Sequence, residues 1–213
     1  MNYENDGYFV GDSEALLPAL AREDCAARKI ILTDPPYDFD DDTKVRFHCL
    51  FNDVVGYNGL KVIFCPPENQ WNVRPVHGGA DPPQILFWNK PISTKNTKKS
   101  YSRFVEMIYI YGNSGIWNSG RNWANYVNVF TDPINDSMYH PHQKPLSLIM
   151  RLILNHTDPN DIIIDPFGGS GTTFIAARLL GRRVIAIEQD VEAWEKAKTR
   201  IACWGLLKGV RNA

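Results

Sequence analysis

The feature that most constrains the fold of this chain is a glycine-rich segment directly after a β-branched run. The run is Ile162–Ile164, and Asp165-Pro166-Phe167-Gly168-Gly169-Ser170-Gly171-Thr172-Thr173 follows it. A near-continuous β-branched run is typical of a strand buried on both faces of a parallel sheet. Glycines at a strand-to-helix turn allow positive φ and let a ligand approach the backbone closely. The segment therefore predicts an α/β fold with a ligand site at the end of this strand.

The rest of the chain repeats this alternation of short apolar runs with helical patterns, which is typical of an α/β fold with a largely parallel sheet. Residues 89–139 form the least regular stretch, and their aromatic content favours a binding loop over simple disorder. Pro145 suits the first turn of a helix, and Gly181 suits a helix stop. The predicted strands are 8–10, 29–33, 61–65, 85–88, 104–111, 162–165 and 183–187, and the predicted helices are 13–22, 43–55, 145–155, 171–180 and 191–204.

Length and composition indicate one ordinary globular domain over residues 1–213. Hydrophobic residues make up 44%, charged residues 22%, and the net charge is −1. No apolar run is long enough to span a bilayer, and the first residues do not resemble a signal peptide, so we expect a cytoplasmic protein without a membrane partner. The four scattered cysteines predict buried free thiols, and His140 and His142 lack partners for a metal, so no metal site is expected.

An acidic residue also ends the strand that follows the glycine-rich segment. Glu188 stands where a carboxylate can hold an adenosine ribose in an open α/β sheet. A phosphate-binding P-loop is disfavoured because Thr172, not lysine, follows Gly171. The dinucleotide pattern requires a glycine where the chain has Phe174. A tight turn that binds nothing is the alternative, and the pairing of Asp165 with Glu188 argues against it.

A second candidate functional segment is Asp34-Pro35-Pro36-Tyr37, directly after the predicted strand 29–33. The triplet Asp81-Pro82-Pro83 shows that Asp-Pro-Pro alone is only a turn signal. The copy at Asp34 differs because a buried strand precedes it and the aromatic residues Tyr37 and Phe39 follow.

These residue types suit the methylation of an exocyclic base amine, whose lone pair is delocalised into the ring. Hydrogen bonds from the amine to Asp34 and to the Pro35 carbonyl would localise that lone pair. Pro35 and Pro36 form a stiff frame because proline fixes φ. Tyr37, with Phe39 as a second surface, offers a face for a base swung out of the helix. Catalysis would then rest mainly on positioning.

The middle of the chain carries an excess of positive charge among many aromatic residues. Between residues 85 and 131 there are six basic residues and one acid, Glu106. Such a region could follow a polyanionic backbone, with tryptophans stacking on bases, and a solvated charged loop is equally compatible. The basic residues are Lys90, Lys95, Lys98, Lys99, Arg103 and Arg121, and the candidate tryptophans are Trp71, Trp88, Trp117 and Trp123.

Together these motifs resemble the β-class of N6-adenine and N4-cytosine DNA methyltransferases, in which Asp-Pro-Pro-Tyr precedes the glycine-rich motif. The segments His140-Pro141-His142-Gln143-Lys144-Pro145 and Gly11-Asp12-Ser13 are similar to two further family segments. The resemblance extends from Tyr8 to Trp204 and is weakest in the middle.

The resemblance implies a three-layer α/β sandwich around a Rossmann-like, seven-stranded, circularly permuted methyltransferase sheet, with S-adenosyl-L-methionine as cofactor. It places Asp12 near the cofactor's adenine, Glu188 on its ribose and Lys144 near its amino-acid end. Asp34, Pro35, Pro36 and Tyr37 become the catalytic motif, and Tyr37 and Phe39 the contacts to the base. The remaining cofactor residues are Asp165, Phe167, Gly168, Gly169, Ser170, Gly171, Thr172 and Thr173.

The aspartate in the catalytic motif favours a site-specific adenine-N6 DNA methyltransferase, of the kind used in restriction–modification, since N4-cytosine enzymes more often carry serine there. Alternatives are the N4-cytosine enzyme, an RNA or small-molecule amine methyltransferase, and a non-catalytic nucleic-acid-binding subunit. The segment between Tyr37 and His140 is short, so the target-recognition region at about residues 66–140 is small. We therefore expect a DNA substrate and allow for a homodimer or a partner subunit.

Overall fold

The computed structural model describes residues 7–22, 26–66, 84–90, 105–112, 129–133, 139–140, 142–206 and 210–212. The strands are β1 (Gly7–Val10), β2 (Lys29–Thr33), β3 (Lys61–Cys65), β4 (Gln84–Asn89), β5 (Val105–Tyr111), β6 (Val129–Phe130), β7 (Ile162–Asp165), β8 (Arg183–Glu188) and β9 (Val210–Asn212). The helices are α1 (Ser13–Arg22), α2 (Asp41–Val55), α3 (Leu146–His156), α4 (Thr172–Leu179) and α5 (Val191–Cys203).

The strands in the described ranges form one sheet in the order β6-β4-β5-β3-β2-β7-β8-β1-β9. All neighbouring pairs are parallel except those of β5, which runs antiparallel to β3 and β4. The seven strands from β4 to β1 are the longer ones, and the short strands β6 and β9 lie at the two edges. The expected seven-stranded, largely parallel sheet is confirmed, with a short strand added on each side.

The central strand β7 shows why the sheet is covered on both faces. Ile162, Ile163 and Ile164 are each 0% exposed. Ile163 belongs to the apolar cluster formed with α3, α4 and α5, whereas Ile162 and Ile164 belong to the cluster formed with α1 and α2. Alternate side chains of a strand point to opposite faces, so a continuous isoleucine run buries both. The expected three-layer sandwich is confirmed.

The connections around β7 determine where a ligand site can form. From β7 the chain passes through α4 to β8 on one side, while on the other side β2 is followed by α2 and β3. In open α/β sheets ligands bind beyond the carboxyl ends of the strands at such a reversal of direction. The ends of β2 and β7 lie side by side here because Ile31 pairs with Ile164.

Several boundaries differ from the sequence predictions for local physical reasons. Helix α2 begins at Asp41, two residues earlier than predicted, because the Asp40 side chain accepts a 2.8 Å hydrogen bond from the Thr43 amide and caps the helix. Pro145 is the cap residue before α3 rather than its first-turn residue. Gly181 follows α4 with φ of 69°, as a helix stop requires.

The cysteines only partly match their prediction. Cys65 is buried, whereas Cys49 in α2 and Cys203 at the end of α5 are exposed free thiols, and Cys25 lies outside the described residues. No helix within the described ranges is long and apolar enough to cross a bilayer.

Candidate active site

A cavity of about 460 Å³ opens at the carboxyl ends of β2, β7 and β8. Its volume lies in the usual range for sites that bind small molecules and cofactors. Both sequence motifs line it, although they are far apart along the chain. The predicted residues in its lining are Asp34, Pro35, Pro36, Tyr37, Lys144, Asp165, Phe167, Gly168, Gly169, Ser170, Thr172, Thr173 and Glu188.

Asp34 follows the last residue of β2 and carries two carboxylate oxygens in different environments. Oδ2 accepts a hydrogen bond of 2.5 Å from Nζ of Lys144. Oδ1 is buried and has no hydrogen-bond partner among the described residues. Burial, reinforced by the nearby Glu106, outweighs the opposing effect of Lys144 and raises the pKa of Asp34 to about 7. The structure therefore offers one unoccupied acceptor in the cavity.

Tyr37 is held in place at the cavity wall by its hydroxyl and by its ring. The hydroxyl accepts a hydrogen bond of 3.0 Å from Nζ of Lys144 and donates one of 3.2 Å to Glu106. The ring of His142 packs edge-on against the Tyr37 ring, with centroids 4.9 Å apart. Burial raises the pKa of Tyr37 above its ordinary value, so its hydroxyl remains neutral.

The family resemblance implies a place for Lys144 near the amino-acid end of the cofactor, and Lys144 lines the cavity. Its ammonium group donates hydrogen bonds to Asp34 and Tyr37 and lies 2.8 Å from Oε1 of Glu106. Burial alone would lower the pKa of Lys144, but the carboxylates of Asp34 and Glu106 raise it well above its ordinary value. Lys144 is thus a buried cation paired with the carboxylate of the catalytic motif.

Glu106 was not predicted as a site residue. It is the second residue of the apolar strand β5, is 1% exposed, and its Oε2 is 2.7 Å from Nζ of Lys90. The sequence did contain a signal, because a single acid inside an apolar strand must find a partner when the strand is buried.

The glycine turn after β7 is held by close packing. A Cβ atom on Gly168 would lie 2.4 Å from Cε2 of Tyr8, so only glycine fits there. The Tyr8 hydroxyl donates a 2.8 Å hydrogen bond to the Gly169 carbonyl. Gly171 precedes α4 with φ of 74°, which favours glycine, and lies against Ile201 of α5 rather than in the cavity lining.

Arg200 is a second residue that the sequence analysis missed. It is 1% exposed, and its guanidinium donates hydrogen bonds to the Ser170 carbonyl (3.0 Å) and to the Thr172 hydroxyl (2.6 Å). Its spacing from the buried Ala197 and Ile201 places it on the inner face of α5, and this periodicity could have revealed it. Arg200 thereby fixes the end of the glycine turn.

Two carboxylates flank the turn. Asp165 is buried, and Oδ1 accepts a 3.2 Å hydrogen bond from the Phe167 amide. Burial raises the pKa of Asp165 to about 6. Glu188 accepts hydrogen bonds of 2.8 Å from the amides of Gly169 and Asp190, one on each oxygen. Each oxygen keeps a second lone pair, so Glu188 remains able to accept from a ligand hydroxyl.

Two predicted contact residues lie outside the cavity lining. Asp12 is exposed and accepts a 2.9 Å hydrogen bond from the Glu14 amide, which caps the start of α1. Its neighbour Ser13 lines the cavity instead and donates to the Pro166 carbonyl. Phe39 stacks on Phe47 with ring centroids 5.3 Å apart, in the apolar packing beside the cavity. The structure therefore gives Asp12 and Phe39 structural contacts, not a place in the lining.

Part of the predicted nucleic-acid surface lies outside the described residues. Trp88 is described, and it is 4% exposed with Nε1 donating to the Asp132 carbonyl at 3.0 Å, so it is a packing residue. Pro141 and most of residues 66–140 are not described. The predicted nucleic-acid contacts that also lie outside the described residues are Trp71, Trp117, Trp123, Lys95, Lys98, Lys99, Arg103 and Arg121.

The sheet order, the glycine turn after β7 and the Asp34 motif after β2 define a Rossmann-like α/β domain with a ligand cavity at the carboxyl ends of its central strands. Residues 29–199 match the model of the DNA methylase family N6_N4_Mtase, and the chain belongs to that family.

Individual relatives agree with this family. A stretch of 61 residues is 56% identical to the Type II methyltransferase M2.MboI of Moraxella bovis, and it covers 29% of this chain and 22% of that protein. The crystal structure of the M1.HpyAVI–SAM complex has a TM-score of 0.73 and 27% identity, covering 94% of this chain and 100% of that one. The cytosine-N4-specific PvuII DNA methyltransferase shares the fold, with a TM-score of 0.68 and 17% identity over 97% of this chain and 94% of that one.

Proposed function

We propose that this chain transfers a methyl group from S-adenosyl-L-methionine to the exocyclic N6 amine of an adenine in DNA. One observation carries the proposal. Oδ1 of Asp34 is a buried acceptor with no hydrogen-bond partner among the described residues, and it lies in the same cavity as the glycine turn. A buried carboxylate oxygen without a donor is costly, so a donor supplied by a substrate would stabilise it.

The lining fits this cofactor in charge and in shape. S-adenosyl-L-methionine supplies an electrophilic methyl group on a positively charged sulfur. Asp165 and Glu188 line the cavity on the side of the glycine turn, and their negative charge suits a cationic ligand. Beside Gly169 the turn leaves open space, because the nearest atom to a Cβ placed there is 3.9 Å away. A ligand can therefore approach the backbone at this point.

The residues of the catalytic motif act on the amine. Oδ1 of Asp34 and the Pro35 carbonyl accept its two N–H groups, which localises the nitrogen lone pair. As the nitrogen–methyl bond forms and the sulfur–methyl bond breaks, the nitrogen acquires a positive charge and must release a proton. Asp34, whose pKa is raised to about 7 by burial, can accept that proton at neutral pH.

Tyr37 supports the proposal because it offers a surface on which the target base can stack. Its ring lines the cavity and is held by His142 and Glu106, so it presents a fixed aromatic face. A base inside a duplex cannot reach this cavity, and enzymes that modify bases swing the target nucleotide out and stack it on aromatic side chains.

The choice of adenine over cytosine rests on the aspartate at position 34. Cytosine-N4 methylation is the second candidate, favoured by the fold shared with the cytosine-N4-specific PvuII enzyme. The two reactions require the same acceptors, so product analysis decides between them.

The test uses the full chain, labelled S-adenosyl-L-methionine and unmodified DNA, followed by mass spectrometry of the nucleosides. N6-methyladenine supports the proposal, and N4-methylcytosine replaces it with the second candidate. The variant Asp34→Asn should bind the cofactor and lose at least a hundredfold in turnover. Asp161→Asn is the matched control, since Asp161 is a buried carboxylate paired with Arg28 at the amino ends of β7 and β2, away from the cavity. Unchanged turnover in Asp34→Asn would overturn the catalytic assignment.

A further inference from the structure

A row of alternating charges runs from the catalytic motif into the antiparallel part of the sheet. It consists of Asp34, Lys144, Glu106 and Lys90, with neighbouring contacts of 2.5, 2.8 and 2.7 Å. Glu106 is the only member supplied by β5, and it pairs with both lysines. Two positive and two negative charges balance along the row.

We propose that Glu106 is a positioning residue for methyl transfer, acting on the Asp34 carboxylate through Lys144. This inference rests on the proposed function, since it concerns the same acceptor.

The ammonium group of Lys144 has as many donors as it has close acceptors. An ammonium group has three N–H donors and no acceptor. Asp34 Oδ2, Glu106 Oε1 and the Tyr37 hydroxyl lie 2.5, 2.8 and 3.0 Å from it, and the His142 carbonyl lies at 3.4 Å. The three shortest contacts match the three donors. Lys144 therefore has no remaining close donor for Oδ1 of Asp34.

Glu106 restrains the position of the Lys144 ammonium group. A lysine side chain has four rotatable bonds and adopts a single geometry only when its head group is restrained. Without the negative charge of Glu106, the strongest partner of Lys144 in the cavity is Asp34 alone. The ammonium would then move toward the Asp34 carboxylate and compete for the oxygen that the amine needs. Glu106 draws it toward β5 and keeps Oδ1 available.

Neighbouring charges also set the pKa of Asp34. The charged groups that act on Asp34 come from three places: Lys144 before α3, Glu106 on β5 and Asp165 on β7. Lys144 lowers the pKa of Asp34, whereas Glu106 and Asp165 raise it. Loss of Glu106 and loss of Lys144 must therefore shift this pKa in opposite directions. If the charge of Glu106 did not act on Asp34, only the loss of Lys144 would shift this pKa.

The experiment compares Glu106→Gln, Glu106→Asp and Lys144→Met in the full chain, with kcat and KM measured between pH 5.5 and 9. We expect Glu106→Gln to lower kcat at least tenfold, to leave KM for the cofactor within about threefold, and to move the acidic limb of the profile to lower pH. Lys144→Met should move that limb to higher pH. Glu106→Asp should restore part of the rate.

Asp132→Asn is the matched control for Glu106→Gln. Asp132 is a buried carboxylate paired with Arg151 at 3.2 Å, it follows the edge strand β6, and it does not line the cavity. It should change the melting temperature and leave the pH profile in place. If Glu106→Gln behaves like Asp132→Asn, or retains the wild-type kcat, the proposal is overturned.

A measurement without turnover separates this inference from the proposed function. The carboxyl carbon of Asp34 can be labelled with ¹³C and its signal assigned through Asp34→Asn. Its pKa can then be measured by NMR titration in the wild type, in Glu106→Gln and in Lys144→Met. Absence of opposite shifts overturns the role of Glu106 even if the wild type methylates DNA. If the pKa of Asp34 shifts in opposite directions in the two variants but the wild type methylates no DNA, the proposed function is overturned. The role of Glu106 in methyl transfer is then overturned with it.

Discussion

The Thr33 hydroxyl donates a hydrogen bond of 2.7 Å to Oδ1 of Asp165. Both side chains are buried, at 2% and 3% exposure. Thr33 ends β2 and precedes the catalytic motif, while Asp165 ends β7 and begins the glycine turn. The bond therefore joins the two halves of the cavity across neighbouring central strands.

Replacing this threonine should weaken both halves at once. In Thr33→Val the buried Asp165 carboxylate loses a donor, which costs about 1–3 kcal/mol. It also raises the pKa of Asp165 further above its ordinary value. We expect cofactor affinity to fall about tenfold and kcat to fall as well, as measured by isothermal titration calorimetry and steady-state kinetics.

Thr157→Val is the control for that substitution. Thr157 is equally buried, its hydroxyl donates a 2.7 Å hydrogen bond to the Ile153 carbonyl, and it does not line the cavity. It should lower thermal stability without changing cofactor affinity. Equal loss of affinity in both variants would show that the effect is one of stability alone.

Cofactor binding should depend on pH through Asp165. Its pKa is raised to about 6 by burial, so the carboxylate is ionised above that pH and protonated below it. A cationic ligand prefers the ionised form, and we expect the dissociation constant of S-adenosyl-L-methionine to rise up to tenfold per pH unit below 6. Calorimetric titrations at several pH values measure this. Asp165→Asn should bind the cofactor weakly, and its dissociation constant should not rise below pH 6. If the dissociation constant of this variant still rises below pH 6, another group is responsible for the pH dependence.

The packing of Tyr8 against the glycine turn gives a third prediction. Gly168→Ala places a methyl group 2.4 Å from the Tyr8 ring and must displace it, at a cost of about 1–3 kcal/mol. The Tyr8 hydrogen bond to Gly169 would be disturbed, so cofactor binding should fall more than tenfold. Gly181→Ala is the control: it is strained by a positive φ of 69° but has open space, so it should lose about 1 kcal/mol of stability and keep its affinity. Wild-type binding by Gly168→Ala would contradict this account.

Acid stability should depend on His156. Burial, with a smaller effect of Arg28, lowers the pKa of His156 from 6.5 to about 4. The unfolded chain therefore takes up a proton on this residue between pH 6.5 and 4 while the folded chain does not, and its contribution, up to about 3 kcal/mol, is lost as pH falls through that interval. In His156→Gln the free energy of unfolding, measured by urea denaturation, should fall less steeply between pH 6.5 and 4 than in the wild type. An identical pH slope in the two proteins would assign the acid sensitivity to other groups.

Much of the fold could be predicted because its signals are local. The isoleucine run of β7 indicates burial on both faces, and the bounds of β2, β3 and β7 match their predictions. The edge strands β6 and β9 were missed because two or three residues are too few to show a periodicity.

Most residues that line the cavity could be predicted from local motifs. The contacts between their side chains could not be predicted. Each motif directly follows a strand, and parallel strands bring their carboxyl ends to one edge. Lys144 reaches Asp34 across 110 positions of sequence, and Glu106 reaches both lysines only because β5 pairs with β3 and β4. Such contacts depend on tertiary docking, which no local pattern encodes. A family resemblance placed Lys144 at the cavity without specifying its partner.

The strand order has a consequence for how this molecule assembles. The strand β2, which precedes the Asp34 motif, is synthesised more than a hundred residues before its neighbour β7, and within the described residues β1 pairs only with β8 and β9. Neither half of the sheet can complete its hydrogen bonding alone, and pairings so distant in sequence form slowly. The cavity can therefore be complete only after α4 and β8 have been synthesised. Until then one edge of β1 and one edge of β2 lack their partner strands, and unpaired strand edges promote aggregation.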